Sequence, residues 1–277
     1  MTYLKAILMG LVQGVAEFLP ISSSGHLAIA RNLLNMEGAG AIPEFFDVLL
    51  HLGTLIAVFA AYWRDICDMV VEFFHGIGDL ARHSTPTPVP PARRLVLLIV
   101  IGTLPLFAVL PIRKAVQGLG DNMYFVGAAL ICTGILLFLC DRVRKGHKTE
   151  RNARWTDALL VGVGQAVATL PGVSRSGMTI TAGCFMGYER RFAVRFSFLL
   201  SIPAVLGANI LSIKDAAAAG INGAEVPMYL VGVAVAAATG YLCIRLLKFI
   251  AEKGRFGAFA YYCWAVGVLT LVLQGIK

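Results

Sequence analysis

At 277 residues, 58% of them hydrophobic and 14% charged, with a mean hydropathy of +0.76, the chain is far more apolar than a soluble domain, where ~45–50% apolar and ~25% charged is usual. That composition excludes a soluble globular protein and indicates an integral membrane protein. The net charge of +8 does not point to nucleic acid, because the lysines and arginines sit in short loops beside apolar runs and not on one soluble surface.

The first segment, Leu4 to Leu19, is apolar but too short to cross a ~30 Å hydrocarbon core comfortably. It lacks the basic start and small-residue cleavage site of a removed signal, so it is expected in the mature structure. It breaks at Pro20, Ile21, Ser22, Ser23, Ser24 and Gly25. Unsatisfied backbone at membrane depth is tolerated only where it lines a protein or water-filled cavity. The chain is therefore expected to enter partway, turn at PISSSG and leave through Leu27 to Leu34.

Runs long enough to span follow at Phe45 to Trp63, Leu95 to Ile112, Met123 to Cys140, Phe192 to Ile213, Val226 to Leu247 and Phe256 to Gln274. Arg64 to Arg94 reads as a loop, with Ser84 to Pro91 as a semi-rigid extended linker, and Glu189, Arg190 and Arg191 read as a solvated turn. Cys67, Cys132, Cys140, Cys184, Cys243 and Cys263 are scattered without metal or disulfide spacing, so they read as small buried hydrophobes.

Between the third and fourth spans the first segment is written again. Ala6 to His26, AILMGLVQGVAEFLPISSSGH, returns as Ala158 to Met178, ALLVGVGQAVATLPGVSRSGM, at an offset of 152 residues, the spacing of Gly10 from Gly162. Ala6, Leu8, Gly10, Gln13, Val15 and Ala16 are matched by Ala158, Leu160, Gly162, Gln165, Val167 and Ala168. After a one-residue slip Leu19, Pro20 and Ser23 match Leu170, Pro171 and Ser174, and Ser24 and Gly25 return in the original frame as Ser176 and Gly177. Hydrophobic segments broken at corresponding places of two halves point to a ligand bound at broken helices. The expected fold is an all-α polytopic membrane protein in one domain: six transmembrane helices and two re-entrant helix-turn-helix segments in an inverted-topology repeat, with halves of about 1–141 and 155–277.

Orientation follows from charge. Arg142, Arg144, Lys145, Lys148, Arg151 and Arg154 crowd one connection, and Arg245, Lys248, Lys253 and Arg255 another; the positive-inside rule places both in the cytoplasm. Arg113 to Asn122, Lys214 to Glu225 and both termini then fall outside. Three spans per half invert the second copy relative to the first, so the two turns are expected to meet near the midplane with helix N-termini pointing into one cavity. That is an anion site, and phosphate is its natural occupant.

The copies differ where chemistry would live: by the 152 offset Thr169 answers Glu17, Met178 answers His26 and Arg175 answers Ser23. A carboxylate at membrane depth is a functional candidate, although Glu17 could simply pair with Arg175. Gln13, one turn earlier on the same face, could join Glu17 in holding a hard divalent cation, Mg²⁺ or Ca²⁺, that leans on substrate phosphates. His26 suits a general acid or base, or a histidine hydrogen-bonded across the helix pair. Ser22, Ser23 and Ser24 could cap the helix, bind phosphate or supply a nucleophile. Arg175, flanked by Ser174 and Ser176 with Thr179 one turn on, suits bidentate clamping of phosphoryl oxygens. Asp47 and His51 could equally pack the core or support the site from behind.

QGVAEFLPISSSGH and LPGVSRSGMT resemble the two signature regions of the undecaprenyl-diphosphate phosphatase family, the integral-membrane type linked to bacitracin resistance. The pattern pairs (E/Q)xxxE, met by Gln13 and Glu17, with PGxSRSxxT, met by Pro171, Gly172, Ser174, Arg175, Ser176 and Thr179. FFDVLLHLGT resembles a further family segment. The resemblance implies a bacterial inner-membrane enzyme with an outward-facing site that uses a divalent cation to hydrolyse undecaprenyl diphosphate to the monophosphate carrier of cell-wall synthesis. Gln13 stands where other members have Glu, one carboxylate fewer for a metal. The concrete mechanism is attack on the terminal phosphorus by Ser23 or by a water, with His26 handling the proton, Glu17 and the cation neutralising the diphosphate, and Arg175 stabilising the equatorial oxygens. The alternative is a polyprenyl-phosphate transporter or flippase, since inverted repeats with broken helices are a transporter architecture. A soluble-type acid phosphatase, suggested by SSGH, lacks its downstream partners, because no histidine follows His147. The sequence leaves the oligomeric state open, a homodimer included.

Overall fold

The computed structural model describes residues 2–33, 44–83, 86, 88–219, 223–253 and 256–276. Parts of the expected linker Ser84 to Pro91 and of the loop Lys214 to Glu225, together with Arg255 and Lys277, lie outside the described residues. Each copy of the duplicated segment forms a helix, a turn and a shorter helix: α1 (Tyr3–Phe18) and α2 (Ser23–Leu33), then α8 (Trp155–Val167) and α9 (Arg175–Phe185). α1 starts at a Thr2 cap whose hydroxyl accepts the Lys5 N–H at 3.3 Å. It stops at Phe18 because Leu19, preceding a proline, takes an extended conformation, φ −67° and ψ 142°.

The remaining helices are α3 (Glu44–Ala61), α4 (Trp63–Ala81), α5 (Pro91–Thr103), α6 (Arg113–Gly118), α7 (Met123–Arg142), α10 (Arg190–Ala219), α11 (Val226–Lys253) and α12 (Gly257–Ile276). Among the described residues five apolar helical stretches are long enough to cross a bilayer, and α3 with α4 would make a sixth, so the chain is an all-α, multi-pass membrane protein.

Three expectations change. Trp63–Ala81 is not a loop: it is a helix bent 84° from α3, with Val70, Phe73, Phe74, Ile77 and Leu80 exposed along one side. Its acidic side turns to arginines, Asp65 to Arg195 at 2.6 Å and Asp79 and Glu72 to Arg93 at 2.7 and 3.0 Å; this is an amphipathic pattern of period 3.6. The run Leu95 to Ile112 is not one helix either. It leaves the α-helix after Thr103 for 3₁₀ turns at Leu104–Ala108 and Leu110–Ile112, because Pro105 and Pro111 have no N–H to give. Arg190 is not solvated; its side chain is 11% exposed and lies 3.5 Å from Asp141.

Packing partners are exchanged between the halves. α1 lies on α11 and α8 on α5, while α7 pairs with α12 and α3 with α10. Small residues let these backbones touch: a Cβ on Gly10 would sit 2.5 Å from Gly232 O, Gly162 is pressed in the same way on Gly102, and Gly127 and Gly267 face each other's carbonyls. Among the described residues there is no strand, only a single bridge between Lys148 and Tyr188.

Candidate active site

Glu17 stands one residue before the end of α1 and is buried, its side chain 6% exposed. Gln13, a turn earlier, donates from Nε2 to Glu17 Oε2 at 3.1 Å. Beyond the break, Ser22 takes a left-handed φ of 74° and caps α2: its hydroxyl accepts the Gly25 N–H at 3.3 Å and its carbonyl the His26 N–H at 3.2 Å. Ser23 is then the first residue of α2, and its hydroxyl donates back to Glu17 Oε2 at 2.6 Å. Hydrogen bonds to a charged acceptor are the short, strong ones.

The second turn is built on the same plan. Gly172 supplies its left-handed residue, φ 88°. Ser174 caps α9, accepting the Gly177 N–H at 3.0 Å, and its own N–H donates to Thr133 Oγ1 on α7 at 3.1 Å. Arg175 opens α9 and its Nη2 binds Glu17 Oε1. Ser23 and Arg175, equivalent positions of the two copies, thus engage the two oxygens of one carboxylate.

The turns touch, as the duplication leads one to expect. Ser24 Oγ accepts the Gly172 N–H at 3.3 Å, and Ser176 Oγ donates to Leu19 O at 3.3 Å, so the third residue of each motif grips the opposite turn. A Cβ on Gly25 would lie 3.2 Å from the Gly172 Cα. Beside the pair Glu17, Arg175, Thr54, Ser201 and apolar side chains that include Leu55 and Val205 line a narrow crevice, too tight for a water molecule.

The structure therefore gathers Gln13, Glu17, Ser23 and Arg175, and uses Ser22, Ser24, Ser174 and Ser176 to build and join the turns. Thr179 is engaged within the protein: its hydroxyl reaches Arg175 O at 2.8 Å and Ser197 Oγ at 2.6 Å. His26 lies on the other side of Ser22, with Nδ1 2.7 Å from Ser22 O and Nε2 2.9 Å from the Tyr262 hydroxyl. His51 comes within 3.9 Å of Glu17 Oε2 through Nε2, while its Nδ1 donates to Asp47 O at 2.8 Å. Asp47 in turn carries Arg31.

Sequence reasoning overlooked Thr133, Ser197 and Tyr262. The first two are hydroxyls inside apolar spans, and a buried hydroxyl needs a partner, so they could have been flagged. Tyr262 had no such signal, since an aromatic near a span end reads as an interfacial anchor. For a cation, the described residues hold no group of three or more His, Cys, Asp or Glu. Gln13 Oε1 is nevertheless buried without a donor, the kind of oxygen a hard cation satisfies.

The family model described as bacitracin resistance protein BacA matches residues 6–269. The chain is 39% identical to an undecaprenyl-diphosphatase of Methanosphaera stadtmanae over 98% of both chains. It is 40% identical to one of Methanobrevibacter smithii, again over 98% of both, and 37% identical to one of Halothermothrix orenii over 100% of both. Because the match spans both turns and nearly the whole chain, the chain belongs to the bacitracin resistance protein BacA family.

Proposed function

We propose that this chain hydrolyses undecaprenyl diphosphate to undecaprenyl phosphate and inorganic phosphate, recycling a lipid carrier for cell-wall synthesis. The observation that carries the proposal is the double engagement of Glu17: Ser23 donates to one oxygen at 2.6 Å and Arg175 holds the other. A hydroxyl so placed is a nucleophile with its proton acceptor already in contact.

Ser23 Oγ attacks the terminal phosphorus; the Oγ–P bond forms, the bond to the bridging oxygen breaks, undecaprenyl phosphate leaves, and the hydroxyl proton passes to Glu17. Water then attacks the phosphoserine; the Oγ–P bond breaks, Glu17 returns its proton to Ser23 Oγ, and the protons of the water leave with the inorganic phosphate. Phosphoryl transfer asks mainly for positioning and charge stabilisation. Arg175 and the N-terminal amides of α2 and α9 supply the latter.

The orphaned Gln13 Oε1 supports a divalent cation, Mg²⁺ or Ca²⁺, which Gln13 Oε1 and Glu17 would hold. When bound it would neutralise charge on the diphosphate. The clustered arginines and lysines of 142–154 support an inner-membrane orientation with the site facing outward, and the exchanged packing partners support inverted halves of about 1–141 and 155–277. A flippase on the same duplication needs no nucleophile, so Ser23 and its acceptor favour hydrolysis.

The test is phosphate release by purified protein from undecaprenyl diphosphate labelled in its terminal phosphate. Wild type should release label, and Ser23→Ala should lower the rate about a thousandfold or more. Wild-type release by Ser23→Ala would leave water as the attacking group, and no release by any form would favour carriage over hydrolysis.

A further inference from the structure

Ser22 holds a left-handed φ of 74° without being a glycine, a conformation that costs free energy and persists only where its surroundings impose it. Capping alone does not require it: Ser174 caps α9 through the same two acceptor atoms at an ordinary φ of −75°, the second turn, one residue longer between its proline and its cap, placing its left-handed residue at Gly172. The copies diverge four residues later, at His26 and Met178. Met178 reaches the cap only through its backbone N–H, which donates to Ser174 O at 2.8 Å. His26 sends its ring as well. The carbonyl of Ser22 can only accept, so Nδ1 carries the proton of the 2.7 Å bond to it. In the neutral ring Nε2 then accepts from the Tyr262 hydroxyl at 2.9 Å, with the two rings nearly parallel, 9° between planes.

We propose that His26 is a positioning residue, a strut running from Tyr262 on α12 through the imidazole to the Ser22 carbonyl, which holds the strained peptide that aims Ser23 at Glu17. The proposal rests on Ser23 as the nucleophile. Both ring nitrogens are occupied in this arrangement, and the proton of Ser23 already has a closer acceptor in Glu17. A turn relaxed toward the Ser174 conformation would swing the Ser23 hydroxyl off its line, and a misplacement of about 1 Å can cost ~100-fold in rate.

Amide isosteres separate a strut from a proton carrier. The Nδ2 of asparagine takes the place of imidazole Nδ1, and the Nε2 of glutamine that of imidazole Nε2, yet neither titrates. Turnover and KM are measured on purified His26→Ala, His26→Gln, His26→Asn and Tyr262→Phe proteins with matched melting temperatures. The alanine and glutamine forms should lose ~100-fold in kcat with KM changed less than about threefold, while asparagine stays within ~10-fold of wild type. Tyr262→Phe should lower kcat by a smaller factor, about three- to tenfold. Adding Ser22→Gly, which removes the cost of the left-handed residue, should shrink the His26→Ala penalty several-fold. An asparagine form as inactive as alanine, or an undiminished penalty in the glycine background, would overturn the strut. Ser23→Ala with full turnover would instead remove the nucleophile reading, and the two failures are told apart because each is read on its own variant.

Discussion

Replacing Arg175 by lysine separates the geometry of the guanidinium from its charge. Arg175 spends one nitrogen, Nη2, on Glu17 Oε1, and its planar fork leaves further N–H donors to take two phosphoryl oxygens side by side. A lysine ammonium on Glu17 keeps the ion pair, so Glu17, 6% exposed, stays compensated and stability should change by less than about 1 kcal/mol. What lysine cannot supply is the second, parallel bond in the transition state. One charge-assisted hydrogen bond is worth about 1.5–3 kcal/mol, which converts to roughly a 10- to 150-fold loss of rate. Arg175→Ala strips the buried carboxylate of its cation and should lower stability by about 3 kcal/mol as well as activity. The assay is phosphate release at saturating polyprenyl diphosphate, beside a thermal melt in the same detergent. A lysine variant with more than about a tenth of wild-type rate, a barrier change below about 1.4 kcal/mol, would refute the bidentate clamp.

Glu17→Gln removes the proton acceptor of Ser23 while keeping its shape, and phosphate release should fall by ~10²–10⁴; a well-folded glutamine variant near wild-type rate would contradict the assignment. Gly172→Ala should destabilise by about 2–4 kcal/mol, since φ is 88° and the new Cβ would lie 2.8 Å from Ala129 Cβ and Val126 O; an unchanged melting temperature would show that the turn can rearrange. For orientation, a cysteine at position 118 should react with an impermeant reagent on intact cells and one at position 151 only after lysis. The reverse pattern would turn the site inward.

Much of the site was legible because the duplication marks its own breaks. Two prolines followed by serines at matched places located both turns, and the unmatched pairs Ser23 with Arg175 and His26 with Met178 isolated the residues that differ in chemistry. What stayed hidden has physical causes. The acids at 65, 68, 72 and 79 recur at helical spacing, but their density resembles a loop until arginines from distant segments are seen against Asp65, Glu72 and Asp79. The 3₁₀ stretch near Pro105 and Pro111 keeps its hydropathy while losing its helix, and hydropathy does not report the missing N–H groups. Tyr262 lies 236 residues from His26, and no local pattern announces a partner that far along the chain.

The contact of α1 with α11 has a consequence for biogenesis. The helix carrying Glu17 ends at Phe18, yet the glycine-lined face that seats it begins at Val226. At ~5–20 residues per second of synthesis, the amino-terminal helix waits on the order of ten seconds or more after emerging before its permanent neighbour exists. During that interval Gly10 and Gly14 present bare backbone to whatever is nearby, lipid or insertion machinery. Ribosomes stalled before residue 226 would hold chains whose first helix has not yet been seated, so the buried carboxylate of Glu17, translated among the first residues, is among the last to reach its final surroundings.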